Sequence, residues 1–385
     1  MTLILCRTAD GTIRSRRVVV TIVLAVIGCL PAWAAPVGEE FDERLAARLE
    51  AMECPGALVG VFPDEGEPRR WALGVADVES RRPMTLDMHM RIGSVSKPLL
   101  GTVVLQLVGE GKLSLDEPIS KYVPDVPAGE SITLEMLGHN TSGLFNTIEN
   151  KQFQRAIMDD PERNWPFDEI LEFTFARPSY FSPGEKFRYS NTNAVLLARA
   201  VEQVTGHSYG EEIQRRVCRP LGLRHTGVPV DGKLPEPCPR AYRNGYPDKV
   251  IGYGDVFYDV TPYSASWTNA AGELYSTLDD LGRLARPLAT GQLLEQPQRS
   301  QMHDWTDTGH AGIKYGFLIA ERDDGIGHTG DVPGFNAVCL YYPQWKTSVV
   351  VLTNLSNNND ETMPAEELAK VVVEQLGREE LRDEP

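Results

Sequence analysis

Arg91, Ile92, Gly93, Ser94, Val95, Ser96, Lys97 and Pro98 lead directly into Leu99, Leu100, Val103, Val104, Leu107 and Val108. These apolar residues recur at spacings of four, which predicts a helix with one buried face, ending at Gly109 and Gly111. Ser94 to Lys97 then sit at the N-terminal end of that helix. A neutral serine hydroxyl is a poor nucleophile and needs an adjacent base. A lysine three residues on shares its helix face and takes its proton where desolvation lowers the amine pKa. The helix terminus adds backbone N–H groups and a positive dipole end, which suit an oxyanion. Taken alone, the S-x-x-K pattern arises often by chance, so its surroundings decide its meaning.

On the N-terminal side, Ala57 to Phe62 and Trp71 to Ala76 read as two strands around the turn-rich Pro63 to Pro68, a hairpin preceded by an amphipathic segment from Glu39 to Met52. From about residue 116 to 265 the chain turns to helices and long loops. One clear helix there runs from Asn193 to Thr205 and is closed by Gly206. An α/β pattern then resumes, with a helix around Leu278 to Leu288 and strand-like runs at Tyr315 to Ala320, Phe335 to Tyr342 and Thr347 to Thr353. A closing helix spans Pro364 to Leu376. Strands gathered at both ends predict an α/β fold of the α+β type: an antiparallel sheet built from N- and C-terminal segments, flanked by helices, with a mostly helical region inserted.

Two further elements give Ser94 and Lys97 company. Tyr189, Ser190 and Asn191 open the helix ending at Thr205, which aims a phenol and an amide at whatever lies at its start. Tyr189 is a candidate to relay the proton that Ser94 loses, and whether Lys97 or a Tyr189 phenolate is the base stays open at this point. His328, Thr329 and Gly330 begin the C-terminal strand run, where Gly330 leaves room for a substrate backbone and His328 is expected to contribute an acidic limb to a pH–rate profile. Three look-alikes are set aside. Gly206 to Gly210 matches GxSxG but closes a helix instead of following a strand. Gly325 to Gly330 matches GxGxxG without a βαβ unit, and His225 to Gly227 leads into a Pro-rich loop.

The composition narrows the function classes. With 385 residues, 42% of them hydrophobic, the chain buries a full core unaided. A formal charge of -16 argues against nucleic-acid partners. Arg14, Arg16 and Arg17 precede an uncharged stretch from Val18 to Leu30 and the small-residue pattern Ala32, Trp33, Ala34, so residues 1–34 read as an export signal cut after Ala34. The alternative is a lipid anchor at Cys29, within Val26 to Cys29. Residues 35–385 are then one catalytic domain, secreted, monomeric, and in contact with membrane only through that signal or anchor. Of the cysteines outside the signal, Cys218 and Cys238 bracket a Pro-rich loop and are the expected disulfide. No spacing forms a metal site, and no cofactor is implied.

The combination of Ser94 to Lys97, Tyr189 to Asn191 and His328 to Gly330 resembles the penicillin-recognising serine enzymes: class C β-lactamases, D-alanyl-D-alanine carboxypeptidases and related esterases and aminopeptidases. The likeness extends through Gly111 to Pro124, Thr141 to Leu144, Pro220 to Leu223 and Ala271 to Leu281, and is nearest the carboxypeptidase branch. It implies Ser94 as nucleophile, Lys97 as base, Tyr189 as acid/base, and Asn191, His328, Thr329, Gly330 and Asp331 as substrate-binding positions. The backbone N–H groups of Ser94 and Asp331 would form the oxyanion hole. Two positions depart from that branch. Ala320 stands where an Arg holds the substrate's terminal carboxylate, leaving Arg322, two residues on, as the candidate substitute. Asp331 replaces a hydroxyl residue. The expected activity is a peptidase on peptidoglycan peptides that β-lactams acylate. The alternatives are an esterase, D-aminopeptidase, transacylase or peptide cyclase, and a non-catalytic binder of cell-wall peptides or β-lactams.

Overall fold

A computed structural model describes residues 2–7, 13–18, 39–244, 256–356 and 362–383. Most of the expected export signal, including the cut after Ala34, lies outside these residues. In chain order the main elements are α1 (Glu39–Ala51), β1 (Gly56–Pro63), β2 (Arg69–Asp77), β3 (Arg82–Pro83), α2 (Ser96–Gly109), α3 (Asn191–Thr205) and α4 (Leu278–Thr290). Then come β4 (Thr306–Asp307), β5 (Ile313–Tyr315), β6 (Ala320–Arg322), β7 (Gly325–Val332), β8 (Phe335–Tyr342), β9 (Thr347–Thr353) and α5 (Pro364–Asp383). The strands form one antiparallel sheet ordered β4-β5-β6-β7-β8-β9-β1-β2-β3. Short strands Thr2–Arg7, Ile13–Val18, Tyr242–Asn244 and Val256–Asp259 make a separate small sheet.

Each central strand is apolar on both sides because the sheet is covered on both faces. Val59, Val61, Val338, Leu340, Val349 and Val351 point one way and pack with Phe41, Leu45 and Leu49 of α1 and Leu368 and Val372 of α5. Their neighbours Leu58, Ala337, Cys339, Val350 and Leu352 point the other way, against Leu281, Leu284 and Leu288 of α4 and the main core. Period-two alternation within an unbroken apolar run thus feeds two cores. Burying a side chain of this size contributes about 1.5–3 kcal/mol, so burial on both faces holds the sheet centre firmly.

Helix α2 departs from the one-faced expectation. Its residues from Ser96 to Leu105 are all buried, as is Leu107. A helix apolar all round belongs in the interior, and α2 is the central helix, wedged between the sheet side and the inserted region. The strand expected at Tyr315 to Ala320 is also two strands: β5 stops at Tyr315, the chain reverses through Gly316 and Leu318, which has φ +56°, and β6 starts at Ala320. Phe317, Leu318 and Ile319 are apolar because they plug the core at that reversal.

The expected disulfide is absent. Cys54, Cys218, Cys238 and Cys339 are all free thiols. Cys218 packs inside the main core, whereas Cys238 lies in a loop whose backbone carbonyl accepts a hydrogen bond from Arg82. Of the look-alike motifs, Gly206 closes α3 in the left-handed conformation and Ser208 caps the next short helix in a capping box with Glu211. Gly325 to Gly330 is strand β7.

Candidate active site

Ser94 sits in the short turn Gly93–Val95 that hands the chain to α2, and Lys97 lies in the first turn of α2, 1% exposed. Lys97 Nζ lies 2.7 Å from Ser94 Oγ, 2.9 Å from Asn191 Oδ1 and 2.7 Å from the Ala271 carbonyl. Burial pushes the amine well below its usual pKa, which favours its neutral form. A neutral amine has two N–H groups and one lone pair. The two carbonyl oxygens can only accept, so they take both N–H groups and leave the lone pair facing the Ser94 hydroxyl.

The orientation of Asn191 is set from behind, since its Nδ2 donates to Asn146 Oδ1 at 3.3 Å, as does its backbone N–H at 3.2 Å. Both polar ends of the Asn191 amide are therefore engaged, one of them in aiming Lys97. Tyr189 Oη donates to Ser94 Oγ at 3.0 Å, and burial raises its phenol pKa, keeping it protonated. Of the two bases that the sequence left open, a neutral Lys97 and a protonated Tyr189 fit these environments.

On the opposite wall, β7 touches the nucleophile's turn backbone to backbone. A Cβ on Gly330 would lie 2.0 Å from the Ile92 carbonyl oxygen and 3.0 Å from Ser94 N, and one on Gly93, where φ is +52°, would lie 2.7 Å from Asp331 N. The room at Gly330 thus belongs to the Ser94 turn, where the sequence suggested a substrate backbone. The same contact sets the N–H groups of Ser94 and Asp331 on adjacent strands of chain. The Asp331 side chain is exposed, with Glu366 and Arg243 the charges that act on it.

His328 is buried. Its Nδ1 donates to the Thr329 carbonyl at 2.5 Å and its Nε2 lies 3.2 Å from Tyr315 Oη. Burial lowers its pKa to about 3, which favours the neutral imidazole and works against the acidic limb expected of it. Tyr315, itself buried with a phenol held well above its ordinary pKa, donates to His328 and meets the Tyr189 ring edge-on at 5.9 Å.

Beside this cluster opens a cleft of about 450 Å³ lined by Phe187, Tyr189, Ile313, Tyr315, Ala320, Thr329 and Leu340, among others. Both guanidinium groups that line it are already paired. Arg322 makes a two-pronged contact with Glu366 at 2.9 and 2.7 Å, and Arg188 lies 3.1 Å from Glu149. Asn146 and Tyr315 were not singled out as site residues in the sequence. Asn146 follows the family-like segment Thr141 to Leu144 by two residues, the one local sign of it.

Known proteins bear on this geometry. The family described as Beta-lactamase matches residues 41–374. The chain is similar to PbpX of Bacillus subtilis (strain 168), named as a penicillin-binding protein, with 29% identity over 270 residues. That match covers 69% of this chain, which spans 62% of the length of PbpX. It is also similar to esterase EstB of Burkholderia gladioli, with 29% identity over 320 residues, 73% of this chain and 81% of that protein. Among solved structures, a D-stereospecific amidohydrolase from Streptomyces sp. superposes with a TM-score of 0.75 and 26% identity, covering 87% of this chain and 98% of that one.

Proposed function

From a chain that belongs to the Beta-lactamase family and is a serine hydrolase of that fold, we propose an enzyme that works through an acyl-Ser94 intermediate and cleaves amide or ester bonds whose leaving side carries no free carboxylate. The observation that carries this reading is the hydrogen-bonded set Ser94, Lys97, Tyr189 and Asn191. Ser94 Oγ attacks the substrate carbonyl while its proton passes to the lone pair of Lys97. The oxyanion forms between the backbone N–H groups of Ser94 and Asp331, each such donor being worth about 10²–10³ in rate. Tyr189 gives its proton to the departing amine or alkoxide and regains one from the Lys97 ammonium. Water then attacks the acyl group along the same path in reverse, releasing the acid and restoring Ser94.

The preference for an uncharged leaving side rests on Ala320 and on Arg322, whose charge is already taken by Glu366. The apolar, aromatic lining of the cleft and the likeness to a D-stereospecific amidohydrolase support D-amino-acid amides as the acyl donors. A second reading, a D-alanyl-D-alanine carboxypeptidase on peptidoglycan peptides, is favoured by the presence of Arg322 on β6, two residues beyond Ala320, and requires Glu366 to release it. Export through residues 1–34 is part of the proposal, supported by Arg14, Arg16 and Arg17 ahead of the apolar stretch.

The test is the intact mass of the protein with benzylpenicillin after seconds and after an hour, with Ser94→Ala as control. It is followed by rates on D-amino-acid amides, aryl esters and a peptide ending in D-Ala-D-Ala. An adduct on Ser94 together with faster turnover of amides and esters is expected. Full turnover by Ser94→Ala ends the acyl-enzyme reading, and preferential cleavage of the D-Ala-D-Ala peptide replaces the first substrate assignment by the second.

A further inference from the structure

Away from Ser94, three side chains from two separate segments converge. One atom each from Glu135, His139 and Asp304 lies within 4.8 Å of the other two. Glu135 and His139 are four residues apart at the short helix Leu134–Gly138, His139 closing it, so both project from one helix face. Asp304 follows the helix Gln296–Met302 and arrives from the other side. His139 is 6% exposed and meets Phe317 edge-on with ring centroids 5.8 Å apart. Its Nδ1 is sealed from solvent without a hydrogen-bond partner.

Two carboxylates held this close repel one another, and among the described residues no ion pair is formed by either of them. An imidazole beside two carboxylates is the donor set of a divalent transition metal, and its mix of nitrogen and oxygen suits zinc with water in the fourth position.

We propose that Glu135, His139 and Asp304 form a structural binding site for a divalent metal ion with the coordination chemistry of zinc. The ion would fasten the helix Leu134–Gly138 to the segment after Met302. The next residue, Asn140, accepts hydrogen bonds through its Oδ1 from Ser190 N at 3.0 Å and Asn193 Nδ2 at 2.8 Å. The clamp therefore stands directly behind the segment that carries Tyr189. It takes no part in bond making, and binding only the native state it raises stability with metal concentration.

The test uses the untagged full chain stripped with a chelator and titrated with zinc chloride by calorimetry, with thermal unfolding measured alongside. The expected result is one Zn²⁺ per chain and a higher Tm in its presence. Affinity should fall at least roughly tenfold in the Glu135→Gln/Asp304→Asn double variant. Both substitutions are on exposed side chains and remove the mutual repulsion of the carboxylates, so the metal-free variant should have a Tm no lower than that of the metal-free parent and the same ester-hydrolysis rate. Absence of one-to-one binding overturns the proposal. So does a double variant that binds zinc as tightly as the parent.

Discussion

Lys97 and Asn191 share a 2.9 Å contact in which the amide oxygen, positioned by the hydrogen bond that Asn191 Nδ2 donates to Asn146 Oδ1, takes one N–H of the amine and helps turn its lone pair toward Ser94. Asn191→Asp puts a negative charge at that point, which favours the protonated amine and raises the Lys97 pKa. A shift of about 1–3 units is expected for so close a charge. The acidic limb of kcat/KM against pH on an ester substrate should move upward by that amount, and a limb that stays in place would show that Lys97 is not the titrating base.

Lys97→Met keeps the apolar stem in its buried slot and removes the base. Turnover should fall by about 10²–10⁴ while far-ultraviolet circular dichroism stays that of the parent. Activity retained within a factor of a few would transfer the base role elsewhere.

Gly330→Ala tests the backbone contact between β7 and the nucleophile's turn. The added methyl would meet the Ile92 carbonyl oxygen at 2.0 Å, so either β7 or the turn must shift, and the N–H groups of Ser94 and Asp331 separate. A loss of roughly 10²–10³ in kcat is the expected cost of a displaced oxyanion donor. Unchanged kcat would mean that those two groups do not hold the oxyanion.

Glu366→Gln removes the charge that occupies Arg322. If Glu366 is what keeps the cleft from accepting a terminal carboxylate, the variant should lower KM for a D-Ala-D-Ala peptide and leave amide and ester substrates unaffected. No change in KM for the peptide would place the carboxylate preference elsewhere than Arg322.

His328 links the site to acid stability. Its native pKa of about 3 lies below the unfolded value of 6.5, so between those pH values the unfolded chain binds the extra proton and stability rises with pH. Its contribution is one proton, a slope of about 1.4 kcal/mol per pH unit across that window. His328→Gln should flatten the pH dependence of the unfolding free energy, read from denaturant titrations between pH 3 and 6.5, by that slope. An unchanged slope would mean that His328 is protonated in the native state.

Ser94, Lys97 and Tyr189 are legible in the sequence because each stands at a helix start marked by local patterning, and the ends of the sheet are legible because β1, β8 and β9 are unbroken apolar runs. What escaped the sequence depends on distant pairs. Arg322 looks free until Glu366, 44 residues on, is seen beside it. Tyr315 reads as a strand residue, yet its hydroxyl lies 3.2 Å from His328 Nε2, whose tautomer the Thr329 carbonyl sets. The reversal at Gly316 to Ile319 hides in an apolar run because core plugs and strands share a composition. Cys218 and Cys238 are near in sequence, but one is drawn into the core and the other stays in a surface loop.

The pairing of β9 with β1 joins Thr347–Thr353 to Ala57–Pro63 across about 290 residues, the largest loop closure in the sheet. Until residue 353 has been made, β1 has β2 on one edge and lacks β9 on the other. Such a topology folds slowly and late, because the entropy of the long loop must be lost before the contacts that reward it can form. Until β7 has been made, the Ser94 turn lacks the wall against which it acts. The active site is consequently among the last parts of the molecule to come into existence, and a chain released early has no hydrolytic activity.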